Sequence, residues 1–236
     1  MRLLALSTAT AAAALLSAGC GGHPCDGGNI AVDWQLQDLA GNPISCVADG
    51  VQAVDVFLDG VAQARTPCSA GGITILGVPA GDHQVTVEGI DTGSNAIINR
   101  DQFSVSTCGG GSFLARPGEA TLQLQYSVPG NVCDGRGSFI WYQVTDLIAG
   151  APISAITSAS SDSDKILFDC GNQTWPSFPV PFGRYRIDWM EEVVAPLTSP
   201  VVVSEQCTAS VSRSIWAPGT LALTADLFDS GLVCAP

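Results

Sequence analysis

The sequence predicts an all-β protein built of two similar sandwich-type domains, and three observations support this fold class. First, Gly and Pro interrupt the chain about every ten residues, and no long amphipathic helical pattern lies between them. Second, the segments between these breaks alternate apolar and polar residues, as Val54, Val56 and Leu58 do before Asp59 and Gly60. Alternation with a period of two buries one face of a strand, as a two-sheet sandwich requires.

The third observation is an internal repeat of about 100 residues, which divides the chain into two units. Four motifs recur in the same order, namely Cys25–Gly27 as Cys133–Gly135, Asp38–Ser45 as Asp146–Ser154, Val78–His83 as Val180–Tyr185, and Pro117–Leu124 as Pro218–Leu223. The repeat puts a boundary near Pro129-Gly130-Asn131 and predicts β-sandwich domains over 25–131 and 132–236. With about seven strands in each unit, an immunoglobulin-like or related sandwich is expected.

The turn that both units share resembles that of a known family. Residues Val54–Gly60 followed by Gly72–Val87 are similar to the carboxypeptidase regulatory-like and related prealbumin-type sandwich domains. Their hallmark is a strand, a tight Pro-x-Gly turn and then an aromatic-led strand, and Phe178–Ile187 repeats it in the second unit. The resemblance implies domains that support or bind rather than catalyse, and it carries over no active-site residue.

The chain begins with a predicted secretory signal. The apolar run over 3–16 follows Arg2 and is shorter than the roughly 20 residues that cross a bilayer. Leu16-Ser17-Ala18-Gly19-Cys20 resembles the lipobox of bacterial lipoproteins, although Ser17 stands where Leu is usual. The resemblance implies that the signal peptide 1–19 is removed and that Cys20 is acylated. Residues 20–24 then tether the protein to the lipid bilayer, and Gly21 favours the outer membrane. The alternative is an ordinary signal cut near Ala18, which leaves Cys20 free or in an intermolecular bond.

The remaining eight cysteines predict a disulfide framework. The repeat aligns Cys68 with Cys170 and Cys108 with Cys207, which predicts the bridges Cys68–Cys108 and Cys170–Cys207. The other four cysteines then pair as Cys25–Cys46 and Cys133–Cys234, so that each domain is self-contained. An alternative with Cys25–Cys133 and Cys46–Cys234 would cross-link the domains.

Charge and residue content argue against several functions. Cleavage leaves eight basic residues against 22 acidic ones, a net charge of −14, which argues against nucleic acid as a partner. His83 is expected to be a strand residue after a turn, and no Gly-x-Ser-x-Gly motif supplies a nucleophile for it. Asp162-Ser163-Asp164 lacks the glycine and glutamate of a known calcium loop. No catalytic residue, cofactor or metal is therefore predicted.

The sequence favours a non-enzymatic, lipid-anchored cell-envelope protein that acts as a structural or protein-interaction module. Its partner would be an unknown envelope protein or glycan. The alternative is a carbohydrate-binding or adhesive surface protein that uses exposed aromatic residues, with Trp175 and Phe178 as the candidate ligand surface. A third possibility is a hydrolase with His83 as its base.

Overall fold

The fold is described by a computed structural model over residues 26–108, 110–127, 137–153, 166–168, 173–174, 177–194, 203–226 and 233–235. Within these residues the chain is almost entirely β, in four sheets that form two sandwiches. The predicted all-β, tandem-sandwich fold class is therefore confirmed. Residues 1–25, with the predicted signal peptide, Cys20 and its tether, lie outside the described residues. In the described part of the chain, no helix has the length and apolar character needed to cross a membrane.

The first sandwich contains seven strands. They are β1 (Gly28–Trp34), β2 (Ala53–Leu58), β3 (Val61–Pro67), β4 (Gly72–Val78), β5 (Asp82–Asp91), β6 (Ala96–Ser106) and β7 (Gly111–Ala115), with one 3-10 turn at Cys68–Ala70. One sheet has the order β4-β1-β7 and the other β3-β2-β5-β6. The predicted alternation forms the core, since Val54, Val56, Val85 and Val87 are fully buried between the sheets.

The second sandwich contains the remaining described strands. They are β8 (Glu119–Ser127), β9 (Gly137–Asp146), β10 (Ala151–Pro152), β11 (Ile166–Phe168), β12 (Gln173–Thr174), β13 (Phe178–Pro181), β14 (Gly183–Val194), β15 (Val203–Ile215), β16 (Thr220–Asp226) and β17 (Val233–Ala235). In one sheet β12, β13 and β16 all pair with β8, and in the other the order is β10-β9-β14-β15-β17, with β11 also on β9. The two sandwiches share one plan, because β1 and β8 each have an antiparallel neighbour (β4, β13) and a parallel one (β7, β16).

Strand β8 moves the domain boundary away from residue 131. The repeat predicts that this strand closes the first unit, but Leu122 lies opposite Phe178 of β13 and opposite Leu221 of β16. Leu122 and Leu124 are buried in the second core, whereas Ala115 belongs to the first. The sandwiches therefore meet at residues 116–118. Alternation of apolar residues shows which face of a strand is buried, but not which core buries it.

The shared Pro-x-Gly turn, in contrast, occupies the same place in both sandwiches. It connects β4 to β5 in the first and β13 to β14 in the second, so it carries the chain from one sheet to the other. In each copy the side chain of the second residue after the turn glycine reaches back to the proline. His83 Nε2 lies 3.0 Å from the Pro79 carbonyl oxygen, and the Tyr185 hydroxyl donates to the Pro181 carbonyl oxygen. The alignment of His83 with Tyr185 is thus confirmed.

Candidate functional site

The two sandwiches are joined by a buried arginine. Arg100, on β6 of the first sandwich, has no exposed surface. Its Nε donates to Glu88 Oε1 at 2.7 Å within the same sheet, and its Nη1 donates to Asp146 Oδ2 of the second sandwich at 2.8 Å. Asp146 is itself 4% exposed. Because removing one member of a buried ion pair leaves an uncompensated charge, these contacts resist separation of the sandwiches.

The backbone around Arg100 reinforces this junction. The Arg100 and Gly118 peptides exchange hydrogen bonds of 3.2 and 3.1 Å, and Phe182 N donates to the Gly118 carbonyl oxygen at 3.1 Å. A Cβ atom on Gly118 would lie 2.7 Å from the Phe182 ring, so any other residue at this position would have to displace that buried ring. Side-chain and backbone contacts together fix the first sandwich against the Pro-x-Gly turn of the second.

A cleft opens beside this junction, and its floor is the outer face of β2, β5 and β6. Since Val56, Val85 and Val87 point into the core, the residues between them point outward. Phe57 lies opposite Thr86, which lies opposite Gln102. Gln102 Nε2 donates to Thr86 Oγ1 at 3.0 Å. The floor therefore combines an aromatic ring with a polar pair.

A second row of residues crosses the same sheet and is charged along its whole length. It runs Arg65, Asp55, Glu88, Arg100 from strand to strand. Arg65 makes two hydrogen bonds to Asp55, of 2.7 and 2.6 Å, at the exposed end. Burial raises the pKa of Glu88 at the inner end, against the opposing effect of the Arg100 charge. This row ends on Asp146 and so connects the floor of the cleft to the second sandwich.

The wall of the cleft comes from the second sandwich. Asp146 Oδ1 accepts hydrogen bonds from Ile148 N at 2.8 Å and from Ala149 N at 3.1 Å, an arrangement that shapes the turn after β9. Leu147 N donates to the Arg184 carbonyl oxygen at 2.8 Å, which ties this turn to β14. The same aspartate thus pairs with Arg100 and holds the wall in place.

The resulting space has a volume of about 600 Å³. Its lining residues are Phe57, Asp59, Gly60, Gln84, Thr86, Glu88, Gln102, Leu147, Ile148, Ala149 and Arg184. Nothing in the sequence indicates this cleft, because Glu88, Arg100 and Asp146 are distant along the chain. The one available signal was the recurrence of Asp38-Leu39 as Asp146-Leu147, which marks two similar turns but not a site.

His83 lies at the same edge of the first sandwich and is fully engaged. Its Nδ1 lies 2.7 Å from Asp59 Oδ2, and its Nε2 faces the Pro79 carbonyl oxygen. Asp59 Oδ1 also accepts from Gln84 N at 2.8 Å. The Asp59 carboxylate and the Pro79 carbonyl raise the pKa of His83, because both stabilise the imidazolium. A histidine held between two acceptors is poorly suited to take a proton from a nucleophile.

The disulfide framework differs from the prediction. Cys46 is bonded to Cys68, with 6.0 Å between their Cα atoms, and this corrects the predicted pairs Cys25–Cys46 and Cys68–Cys108. It also excludes the alternative Cys46–Cys234. Local hydrogen bonds explain the pairing, since Val51 N donates to the Cys46 carbonyl oxygen and Cys68 N donates to that of Gln52. The repeat alignment could not show this, because it compares equivalent cysteines rather than neighbouring ones.

The other cysteines are only partly described. Cys108 is also in a disulfide, and Cys207 on β15 lies directly opposite Cys234 on β17. Cys25, Cys133 and Cys170 lie outside the described residues. The bridges Cys170–Cys207 and Cys133–Cys234 therefore stay predictions.

The predicted aromatic ligand surface is also only partly described. Trp175 lies outside the described residues. Phe178 is half-buried and packs against the second core, with its ring centroid 6.2 Å from that of Tyr142, and its role in ligand binding stays a prediction. Trp216, which the sequence did not single out, is 40% exposed beside a groove of about 290 Å³. Within the described residues, no three His, Cys, Asp or Glu side chains converge as a metal ion would need.

The fold and the cleft define a tandem β-sandwich protein. No protein-family model matches the chain, and no curated protein sequence does either. Among solved structures, it is similar to the minor pilin of Streptococcus agalactiae, with a TM-score of 0.36 and 12% identity over 84% of this chain and 94% of that one. It is also similar to a protein described as a candidate cell adhesion protein from Bacteroides ovatus, with a TM-score of 0.30 and 6% identity over 89% and 96% of the two chains.

A third similar structure is a leucine-rich repeat protein from Bacteroides thetaiotaomicron. The TM-score is 0.27 and the identity 13%, and the match covers 84% of this chain but only 26% of that one. This chain therefore spans about a quarter of that protein's length. With identities and TM-scores this low, no activity or partner passes from these proteins to this chain.

Proposed function

We propose that this chain is a non-enzymatic adhesive module of the bacterial cell envelope, which binds its ligand in the cleft between its two sandwiches. The Arg100–Asp146 ion pair is the observation that carries the proposal. A cleft with walls from two domains is preorganised for its ligand when the domains keep one relative orientation, which lowers the cost of binding. Burial of both charged groups at the junction supports such a fixed geometry.

Several features support an exported, lipid-anchored protein. The Cys46–Cys68 disulfide is typical of an oxidising compartment, and Cys108 is oxidised as well. We propose that acylated Cys20 anchors the chain to the lipid bilayer of the outer membrane. Mass spectrometry of the mature amino terminus tests this anchor, because an unmodified Cys20 or a different first residue would exclude it.

A purely structural role and a hydrolase are the competing functions. Because its two ring nitrogens are both held by acceptors, His83 gives little support to a hydrolase that would use it as a base. If the role is purely structural, the cleft binds no ligand. Filling the cleft would then leave adhesion unchanged.

Filling the cleft therefore tests the proposal. Lipid-coated beads that hold the mature chain by its acylated Cys20 are assayed for adhesion to a panel of cell-surface polysaccharides and proteins. Gln84→Trp places a large side chain in the cleft and is expected to abolish adhesion. Gln63→Trp, the same change at an exposed position on the edge strand β3, is expected to leave adhesion intact. No adhesion by the unmodified chain, or equal adhesion by both variants, would exclude the cleft as the binding surface.

A further inference from the structure

We infer that the cleft takes an acidic glycan, whose carboxylate binds Arg184 and whose sugar ring packs between the Gln84 and Gln102 amides and Phe57. This inference rests on the proposed function, since it names the ligand class of the same cleft. It concerns the part of the surface shared by both sandwiches, not the aromatic residues of the second domain.

The charged side chains that line the cleft differ in whether they already have a hydrogen-bonded partner. Asp59 is occupied by His83 and by the Gln84 peptide, and Glu88 by Arg100. Arg184 is exposed, and its guanidinium makes no hydrogen bond or ion pair with any residue that the structure describes. Although the acidic chain repels anions at long range, an arginine in a cleft without a carboxylate partner among the described residues can bind a single carboxylate of a ligand at close range. Guanidinium groups bind carboxylates through two parallel hydrogen bonds.

The uncharged lining is suited to sugar hydroxyl groups. The Gln84 side chain is exposed and makes no hydrogen bond within the described residues, and Gln102 uses one amide hydrogen on Thr86. The Gln84 amide offers two donor hydrogens and an acceptor oxygen, and the Gln102 amide offers one donor hydrogen and an acceptor oxygen, as neighbouring hydroxyl groups need. Phe57 and Leu147 supply apolar surface against which the C–H face of a sugar ring packs.

An extended peptide is less well accommodated. A peptide commonly binds a β-protein by adding a strand to an open sheet edge. Two of the three floor strands, β2 and β5, have hydrogen-bonded neighbours on both sides, in the order β3-β2-β5-β6. Their backbone groups are therefore used inside the sheet, and this part of the floor offers a ligand side chains only.

Calorimetric titration of the mature full-length chain in detergent tests the inference. The probes are an oligogalacturonate, a hyaluronan oligomer and sialyllactose, each compared with its uncharged methyl ester. At least one acid should bind while its ester does not. Arg184→Ala should weaken binding about tenfold or more, since a hydrogen bond to a charged group is worth about a decade of affinity. Arg213→Ala, which removes an exposed arginine on β15, is the matched control and should bind as the unmodified chain does.

Each other outcome overturns the inference. If none of the acids binds with a dissociation constant of about 1 mM or tighter, the acidic glycan is excluded as the ligand. Equal binding of acid and ester, or equal weakening by both arginine variants, would exclude Arg184 as the specific group. A neutral glycan or a peptide that adheres through the cleft, and is blocked by Gln84→Trp but not by Arg184→Ala, would leave the adhesive function standing. Both variants should unfold at the same thermal midpoint as the unmodified chain. A loss of binding then cannot be due to a loss of folding.

Discussion

At the scale of single residues, the two Pro-x-Gly turns are each stabilised by one side chain, but the two side chains differ in chemistry. His83 and Tyr185 occupy equivalent positions and both contact the carbonyl oxygen of the turn proline. A neutral imidazole has one N–H and can donate to only one of its two acceptors here, whereas an imidazolium donates to both. Tyr185 needs no charge to donate, and burial raises the pKa of its hydroxyl further above its ordinary value of 10.0. The first turn is therefore sensitive to pH near neutrality and the second is not.

This difference predicts a pH dependence of stability. The pKa of His83 is raised in the folded state, chiefly by its hydrogen bond with Asp59. The His83 contribution is therefore fully present below the unfolded pKa of about 6.5 and is lost as the pH rises through the folded value. The unmodified chain should lose more stability between pH 6 and pH 8 than His83→Gln does, as measured by urea unfolding at each pH. Parallel losses in the two proteins would show that the imidazolium does not stabilise the turn.

The carboxylate of Asp59 determines how the stability of the same pair falls at low pH. The pKa of Asp59 is lowered, first by the Gln84 N–H and then by His83. A lowered pKa gives stability that is present above the unfolded value of about 3.9 and lost as the pH falls through the folded value. The Asp59–His83 pair is thus most effective between mildly acidic and neutral pH, which is the range of the titration above.

At the scale of strands and turns, short sequence motifs predict individual turns and strands correctly, but they do not predict which distant strands pair with each other. The Pro-x-Gly turn could be predicted because a proline and a glycine at fixed spacing determine it within a few residues. The alternation of Leu122 and Leu124 predicts strand β8, but the repeat assigns this strand to the first sandwich, whereas it lies in the second. The segments after Pro117-Gly118 and Pro218-Gly219 look like counterparts in two domains, but they are parallel neighbours in one sheet.

The cleft escaped prediction for the same physical reason. Arg100 lies within a strand of mixed polar character, and its two acidic partners come from another strand and another domain. No spacing in the sequence distinguishes this arginine from one on a solvated strand face. Only the packing of one sandwich on the other removes it from water, and packing of that kind is absent from any local pattern.

The strand register makes a specific prediction for the second pair of disulfides. Directly opposed residues on antiparallel strands have Cα atoms about 4.5–5.5 Å apart, within the range that a disulfide spans. Cys207 and Cys234 stand in this relation. We therefore propose a Cys207–Cys234 bridge as the alternative to the predicted Cys170–Cys207 and Cys133–Cys234 bridges, beside the Cys46–Cys68 bridge of the first sandwich.

Digestion with trypsin and Asp-N under non-reducing conditions would reveal this map. Cleavage before Asp26 and Asp38 separates Cys46 from Cys25, cleavage after Arg65 separates it from Cys68, and cleavage after Arg213 separates Cys207 from Cys234. Each bridge then joins two peptides. Mass spectrometry should find both linked pairs, and each should disappear after reduction. A Cys207 peptide linked to that of Cys170 would restore the pairing predicted from the repeat.

At the scale of the whole molecule, several contacts between the described residues of the two sandwiches oppose a change of the angle between them. They include the Arg100–Asp146 ion pair and the Arg100–Gly118–Phe182 backbone hydrogen bonds. Gly41 also lies close to Pro218, since a Cβ atom on Gly41 would lie 3.0 Å from Pro218 Cγ. These contacts come from different segments of both sandwiches, and a rotation would have to break more than one of them.

The ion pair can be removed without disturbing the turn that carries it. In Asp146→Asn, the side-chain oxygen can still accept from Ile148 N and Ala149 N, while an amide nitrogen takes the place of the oxygen that faces Arg100. Arg100 is then left with a single carboxylate, at a cost of about 1–3 kcal/mol in the free energy of unfolding. We expect the two sandwiches to share one NMR alignment tensor in the unmodified protein and to show two in this variant.

Asp38→Asn supplies the comparison that separates a charge effect from a turn effect. Asp38 Oδ1 accepts from the Ala40 and Asn42 peptides, as Asp146 Oδ1 accepts from two peptides of its own turn, but none of the described arginines pairs with Asp38. This variant should keep one alignment tensor. If it loosens the sandwiches as much as Asp146→Asn does, the turns rather than the buried charges hold the angle. If neither variant loosens them, the backbone contacts at Gly118 are sufficient, and the cleft keeps its shape without the ion pair.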